Sequence, residues 1–272
     1  MTANLLERST PDILRALLDR TAGDLVIVDP NADVMESLVD IAADYGDDLP
    51  TLNVLADGRL LKDVMDDFLV AADAADLVDA GHMTLRELET EADNTLVVGG
   101  DDLYALVSAG EHVAALAADD EEFVADAYET YRGRWEEAEA FNLRTPALSR
   151  VRSTLDEDIG EAVRADFDSV LDSLETARGD GDGLDEVTIS LLVAAKNDVL
   201  LYDISKWGED VGIASKATFS RTKTRLEDMG LIDTEKVPID VGRPRLRLKL
   251  GDDRLREADG DELASVAYRM LN

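Results

Sequence analysis

The sequence predicts an α/β chain: a mostly parallel sheet with flanking helices at the N-terminus, a helical connector, and a small domain of three helices and one β-hairpin at the C-terminus. Three observations carry this. Up to residue 98, short apolar runs alternate with helical patterns of about 10 to 15 residues, the arrangement of a parallel sheet covered by helices. Two long helical stripes with no strand between them follow, ended by the aperiodic run Arg178-Gly179-Asp180-Gly181-Asp182-Gly183 with its three glycines. Beyond that run the charge balance reverses: Val211 to Lys249 holds nine Lys plus Arg against five Asp plus Glu, or +4, which leaves −38 on the rest of a 272-residue chain of net charge −34.

In chain order, Thr10 reads as the N-cap of a first helix, with Pro11 at its first position, Ile13, Leu14, Leu17 and Leu18 on one stripe and Gly23 beyond its end. Asp24 to Asp29 is a buried-strand run, followed by a helical pattern carrying Val34, Leu38 and Ile41. The unit recurs: Thr51 to Ala56 as a second strand, a helix from Arg59 to Ala72, and Thr95 to Val98 as a third strand. Tyr104 to Ser108 and His112 to Ala117 pair as a hairpin around Ala109-Gly110-Glu111, an antiparallel edge. Asp119 to Phe141 is a helix with Phe123, Ala127, Tyr131, Trp135 and Ala138 one turn apart. A second helix, Leu155 to Ala177, aligns Ile159, Val163, Phe167, Val170, Leu171 and Leu174. The expected division is therefore an α/β domain over 1–118, a connector over 119–183, a C-terminal domain over 184–250 and a last helix over 251–272.

The C-terminal domain carries the clearest pattern. Leu184 to Lys196 is one amphipathic helix, and Tyr202 to Val211 a shorter one ending at Gly212, which suits a C-cap. Ser215 caps a third, Lys216 to Met229, closed by Gly230; this order is that of a helix-turn-helix. In the third helix Phe219, Thr222, Leu226 and Met229 face inward, while Lys216, Thr218, Ser220, Arg221, Thr224 and Arg225 face out. Lys223 lies beside the inward stripe, where an apolar residue is usual, and its stem can snorkel. Leu231 to Val237, the turn Pro238 to Pro244, and Arg245 to Leu250 form a hairpin in which Leu246, Leu248 and Leu250 alternate with Arg245, Arg247 and Lys249. The whole is a winged helix-turn-helix. It predicts binding to duplex DNA, with Ser215, Lys216, Thr218, Ser220 and Arg221 at base edges, Thr224 beside them, and Arg225, Arg243, Arg245, Arg247 and Lys249 on phosphates.

Composition limits the rest. The chain has 61 Asp plus Glu against 27 Lys plus Arg, only 7 of the basic residues being lysine. The acids are interleaved with Leu, Val and Ile, so they coat a folded surface instead of forming disordered tails. At ~1 M salt the Debye length is ~3 Å and self-repulsion is screened, which implies a cytosol of high salt, as in haloarchaea. The absence of cysteine excludes disulfides and thiolate chemistry, two histidines exclude a histidine-rich metal site, and no metal or cofactor is expected. No apolar run reaches the ~18 to 20 residues of a membrane span, and Met1 to Ser9 lacks the features of a signal peptide, so the cytoplasm is the expected compartment. No phosphate-binding, dinucleotide-binding or nucleophile-elbow motif appears, and Gly99-Gly100-Asp101-Asp102 reads as a turn, so no catalytic residue is assigned. Three cations stand out in the acidic half: Arg59, Lys62 and Arg86. Ligands of open α/β sheets bind at the carboxyl ends of strands, where Asp29, Asn31, Asp57 and Gly58 also fall, and these seven residues form the candidate effector site.

The order of an acidic α/β domain, a helical connector and a winged helix, with ATFSRTKTRLEDMGLI and VGRPRLRL, resembles the haloarchaeal TbsP family, the TrmB-suppressor proteins. TLVVGGDDLYALVSAGEHVAALAADDEEFVADAYETYRGRWEEAEAF resembles the effector domain of TrmB-like regulators. The resemblance implies a transcription factor of sugar-metabolism genes and a sugar or sugar-phosphate effector. The alternatives are an architectural DNA binder without effector and an α/β enzyme with a DNA-binding appendage. One winged helix reads few base pairs, so a homodimer on two half-sites is expected, through the connector helices or the stripe Leu263, Val266, Ala267, Met270 and Leu271.

Overall fold

The computed structural model describes residues 4–21, 23–46, 48–89, 92, 94–110, 112–118, 120–174, 176–178, 184–240 and 244–271. The chain divides into two compact units, 1–65 with 73–143, and 66–72 with 144–272. The division falls at residue 143 and not in the glycine-rich run, of which Gly179 to Gly183 lie outside the described residues.

Within the first stretch the elements are β1 (Leu5–Glu7), α1 (Thr10–Leu18), β2 (Leu25–Val28), α2 (Ala32–Asp44), β3 (Leu52–Ala56), α3 (Gly58–Val64), α4 (Phe68–Asp79), β4 (Met83–Glu87), β5 (Leu96–Val98), β6 (Leu103–Ala109), β7 (His112–Ala118) and α5 (Glu121–Glu137). The sheet runs β1-β7-β6-β5-β2-β3-β4. It is α/β as expected, but mixed instead of mostly parallel: only β2–β3 and β3–β4 are parallel pairs. The helical connections from β2 to β3 and from β3 to β4 carry the parallel pairs, while the tight links after β5 and β6 make hairpins, and β5 and β1 join the sheet antiparallel to β2 and β7. The hairpin forms as expected, with Ala109 opposite His112, but β1 continues the sheet beyond it.

Three local expectations change. The cap of α1 is Ser9, whose Oγ accepts from the Asp12 N–H at 3.3 Å; Thr10 is buried inside the helix and hydrogen-bonds Asp33. The helix expected over 59–72 is two, because Asp67 Oδ1 accepts from the Leu69 N–H at 3.0 Å and starts α4 afresh. On α5, Val124 is the buried residue, packed with Val26, Val28, Val98 and Leu103, whereas Phe123 is 57% exposed.

The second unit holds α6 (Leu148–Asp158), α7 (Glu161–Asp172), α8 (Glu186–Lys196), α9 (Leu201–Val211), α10 (Lys216–Asp228), β8 (Ile232–Val237), β9 (Arg245–Leu250), α11 (Asp253–Arg256) and α12 (Gly260–Leu271). One core joins Val151, Leu155, Phe167, Leu191, Trp207, Phe219, Leu226, Leu248 and Leu263. The long stripe expected from Leu155 is broken at Gly160, whose φ of 141° is open to glycine, so α6 and α7 fold as a pair. They pack with the helix-turn-helix and do not form a separate connector. Helix α8 is buried at every position from Val187 to Ala195 and is not amphipathic, since it is enclosed by its neighbours. Leu263, Ala264 and Ala267 of α12 are buried in the same core, with Val266, Met270 and Leu271 packed on it, so that stripe is not a free surface. Residues 66–72 belong here too: Phe68 and Ala72 join the core, and the Phe68 N–H donates to the Ala177 carbonyl at 3.1 Å. At the start of α8, burial pushes the Glu186 carboxyl up to about 7, with Asp185 and Asp66 adding to the shift.

Candidate nucleic-acid interface

The turn between α9 and α10 is built on Gly212, with φ of 99°, and on the Gly208 carbonyl, which accepts from the Gly212 and Ile213 N–H groups at 3.2 and 2.8 Å. Ser215 caps α10, its Oγ accepting from the Thr218 N–H at 3.2 Å. The buried face of α10 is Phe219, Lys223 and Leu226, with Thr222 half-buried; Met229 is 39% exposed and does not belong to it. Lys223 takes the inward place through its aliphatic stem, and its Nζ reaches Glu227 Oε2 at 2.6 Å. Lys216, Ser220, Arg221, Thr224 and Arg225 lie exposed on the opposite face, and Thr218 is half-buried.

Strands β8 and β9 pair antiparallel from Ile232↔Leu250 to Val237↔Arg245, and a bridge from Leu200 to Arg247 adds a third strand segment on the other side of β9. Leu248 and Leu250 point into the core; Arg245, Arg247 and Lys249 are half-buried on the outer face. Arg243 lies outside the described residues.

Sequence reasoning missed the acids that meet these cations. Lys216 Nζ lies 2.6 Å from Glu209 Oε2, and this pair holds the Glu209 carboxyl below its usual range and the Lys216 amine above its own. Arg245 lies 3.4 Å from Asp203 and stacks over Tyr202 at 4.1 Å; Arg247 lies 4.0 Å from Glu235; Lys249 lies 2.6 Å from Asp198. The Arg247 Nε is buried without a hydrogen-bond partner among the described residues. Arg221 and Arg225 meet no carboxylate among the described residues; they donate to Thr218 Oγ1 at 3.4 Å and Thr188 Oγ1 at 3.2 Å. The alternation in Asp233, Glu235 and Val237 places Glu235 on the face of Arg247, a signal present in the sequence once the register is known.

In the α/β unit, the candidate effector residues fall on three elements, Asp29 and Asn31 between β2 and α2, Asp57, Gly58, Arg59 and Lys62 at the start of α3 or within it, and Arg86 on β4, and most are occupied. Asp57 Oδ1 accepts from the Arg59 and Leu60 N–H groups at 2.9 and 3.0 Å, and Asn31 Oδ1 caps α2 by accepting from Val34 at 2.9 Å. Asp29 accepts from the Ala92 N–H at 2.8 Å. Arg86 donates to the Glu136 and Ala138 carbonyls at 3.0 and 2.9 Å and lies over Trp135 at 4.4 Å. Gly58 lies against Glu87, whose Oε2 would be 2.6 Å from a Cβ there. Arg59 and Lys62 are exposed. A cavity of about 360 Å³ opens beside this set, lined by Leu55, Glu87, Glu89, Arg134 and Glu137 among others; none of the residues expected from sequence lines it, though Leu55 pairs with Arg86 across the strands and Glu87 lies against Gly58.

Two family models match the chain: transcriptional regulator TbsP-like, N-terminal, over 2–146, and transcriptional regulator TbsP-like, C-terminal HTH domain, over 147–268. No curated protein matches it. Among solved structures, TrmBL2, an archaeal chromatin protein whose structure shows a novel mode of DNA binding, is similar at 16% identity over 52% of this chain and 54% of that one, with a TM-score of 0.36. The chain thus spans about half the length of that protein. Nuc from Salmonella typhimurium, a phospholipase D family member, is similar at 10% identity over 52% of this chain and 99% of that one, with a TM-score of 0.34. These likenesses are too slight to bear on fold or function. Matched in both halves by models of one family, the chain belongs to the TbsP-like transcriptional regulators, with a C-terminal helix-turn-helix domain.

Proposed function

We propose that the protein binds duplex DNA as a homodimer through α10 and the wing, in a cytosol of high salt, and that its α/β unit senses a small molecule to control genes of sugar metabolism. One observation carries the DNA reading: in a chain of net charge −34, the exposed face of a capped helix presents Arg221 and Arg225 with no carboxylate against them among the described residues. Arg221, near the start of α10, reads a base edge, and Arg245 holds a phosphate. Arg221→Ala is expected to cost about 1 to 3 kcal/mol on one preferred site, whereas Arg245→Ala weakens all sequences alike. Gel shifts in concentrated potassium salt measure both, and the shifted complex should contain two chains. Unchanged binding by the two variants would overturn the assignment.

For the effector, the geometry favours a free sugar over a sugar phosphate. Asp57 places its own carboxylate on the Arg59 and Leu60 N–H groups of α3 and Asn31 takes the Val34 N–H of α2, so these N–H groups are already held by the chain. The cavity offers Glu87, Glu89 and Glu137 as acceptors for hydroxyl hydrogen bonds and Arg134 as a donor, and its carboxylates repel a phosphate. Thermal-shift screening of free and phosphorylated sugars should find stabilisation by the free form alone, with a change in DNA affinity. Stabilisation by phosphorylated sugars only would refute this pocket, and no hit at all would favour an architectural DNA binder.

A further inference from the structure

We infer that DNA binding by this domain is an exchange of ion pairs that takes up cations from solvent, so that affinity falls only weakly as salt rises; the inference rests on the DNA-binding reading above. Six described cations belong to the proposed surface: Lys216, Arg221, Arg225, Arg245, Arg247 and Lys249. Four already hold a carboxylate, at 2.6 Å for Lys216–Glu209 and Lys249–Asp198, 3.4 Å for Arg245–Asp203 and 4.0 Å for Arg247–Glu235. The Glu209 pair is doubly made, because its Oε1 also accepts from the Lys216 backbone N–H at 3.3 Å.

A phosphate that engages one of these cations must take the place of its carboxylate. The displaced carboxylate stays on the same short side chain, within a few ångströms of the phosphate, where two like charges in a partly dehydrated interface repel strongly. A monovalent cation drawn from solvent removes that repulsion. The bookkeeping then differs from that of an ordinary basic surface. On a mixed-sequence duplex, where Lys216 and Arg221 meet no matched base edge and rest on phosphates like the other four, six contacts release about 0.9 cation each, a slope near −5 in log affinity against log salt. If each of the four displaced carboxylates takes one cation back, the slope shrinks to roughly −1 to −2.

The test measures fluorescence anisotropy of a labelled mixed-sequence duplex with the full chain, between about 0.2 and 2 M potassium chloride. The chains compared are wild type, Glu209→Gln, Asp203→Asn and the fourfold variant that adds Asp198→Asn and Glu235→Gln. Asp126→Asn, exposed on α5 of the other unit, is the control for net charge. All substitutions are near-isosteric changes on partly or fully exposed side chains, and an unchanged melting temperature confirms that they fold. The wild-type slope should be shallow, each amide at the interface should steepen it by about one, and affinity at the low-salt end should rise up to tenfold per carboxylate removed, with Asp126→Asn having no such effect. A wild-type slope near −5 that the amides leave alone would overturn the exchange while DNA binding stands. A shallow slope that the interface amides change no more than the control would also overturn it, since repulsion by the whole chain would then be the cause. Absence of binding at every salt concentration would overturn both this inference and the DNA-binding reading.

Discussion

Gly208→Ala is expected to destabilise the C-terminal unit by about 3 kcal/mol, a fall in melting temperature of roughly 10 °C. A Cβ at this position would lie 2.3 Å from Phe219 Cε2 and 2.4 Å from Cζ. The Phe219 ring is fully buried in the core with Trp207 and Leu226, so it has no room to yield. Alanine is favoured over glycine inside a helix by about 1 kcal/mol, but a contact more than 1 Å too short outweighs that gain. Because the contact joins α9 to α10, forcing it apart also shifts the helix proposed to enter the groove, and DNA affinity should fall with stability. Thermal unfolding of the full chain measures the effect. Trimming the ring in Gly208→Ala/Phe219→Leu should recover part of the loss, and an unchanged melting temperature in the single variant would refute the close packing.

Asp67→Ala should cost the same unit about 3 to 4 kcal/mol. Its carboxylate is 3% exposed and accepts from the Leu69 N–H at 3.0 Å, the Thr176 hydroxyl at 2.5 Å, the Ala177 N–H at 3.2 Å and Arg178 Nε at 3.4 Å. Truncation leaves the buried Ala177 N–H without its acceptor and removes the cap of α4, which is dearer than never having built the network. Asp67→Asn keeps one acceptor oxygen and should lose less. Asp63→Asn, at an exposed position of α3, should stay within about 0.5 kcal/mol of wild type. Urea unfolding distinguishes these three, and equal stability of Asp67→Ala and Asp63→Asn would refute the role given to Asp67.

Where the controlling interactions are local, the sequence was readable. Ser215, Gly212 and the alternation of Arg245 to Leu250 each act within a few residues, and the elements they define stand where they were expected. Strand β4 was missed although Met83 and Leu85 alternate with Thr84 and Arg86, because a run of five residues directly after a helix is a short signal that only its pairing with β3 makes plain. The mixed character of the sheet depends on which strand β5 joins, and nothing within Leu96 to Val98 specifies β2 as its neighbour. Asp67 could not be singled out among 61 acids because Thr176, Ala177 and Arg178 lie more than a hundred residues away in sequence. The same holds at the proposed interface: the cations were legible, while Asp198 and Asp203 reach them only through the fold.

The family models meet between residues 146 and 147, yet the chain cannot be cut there into two self-sufficient pieces. A fragment starting at that junction lacks Phe68, Ala72 and the Asp67 carboxylate, and so carries an open notch in its core and loses the acceptor of the Thr176 hydroxyl and the Ala177 N–H. The order of synthesis matters for the same reason: Phe68 leaves the ribosome well before the helices that bury it, so the C-terminal unit waits on a peptide made in the first quarter of translation. Exchange of the DNA-binding half between related regulators by a single crossover would then join a core to a plug it was not matched with. A seven-residue stretch of the N-terminal half completes the core of the C-terminal one.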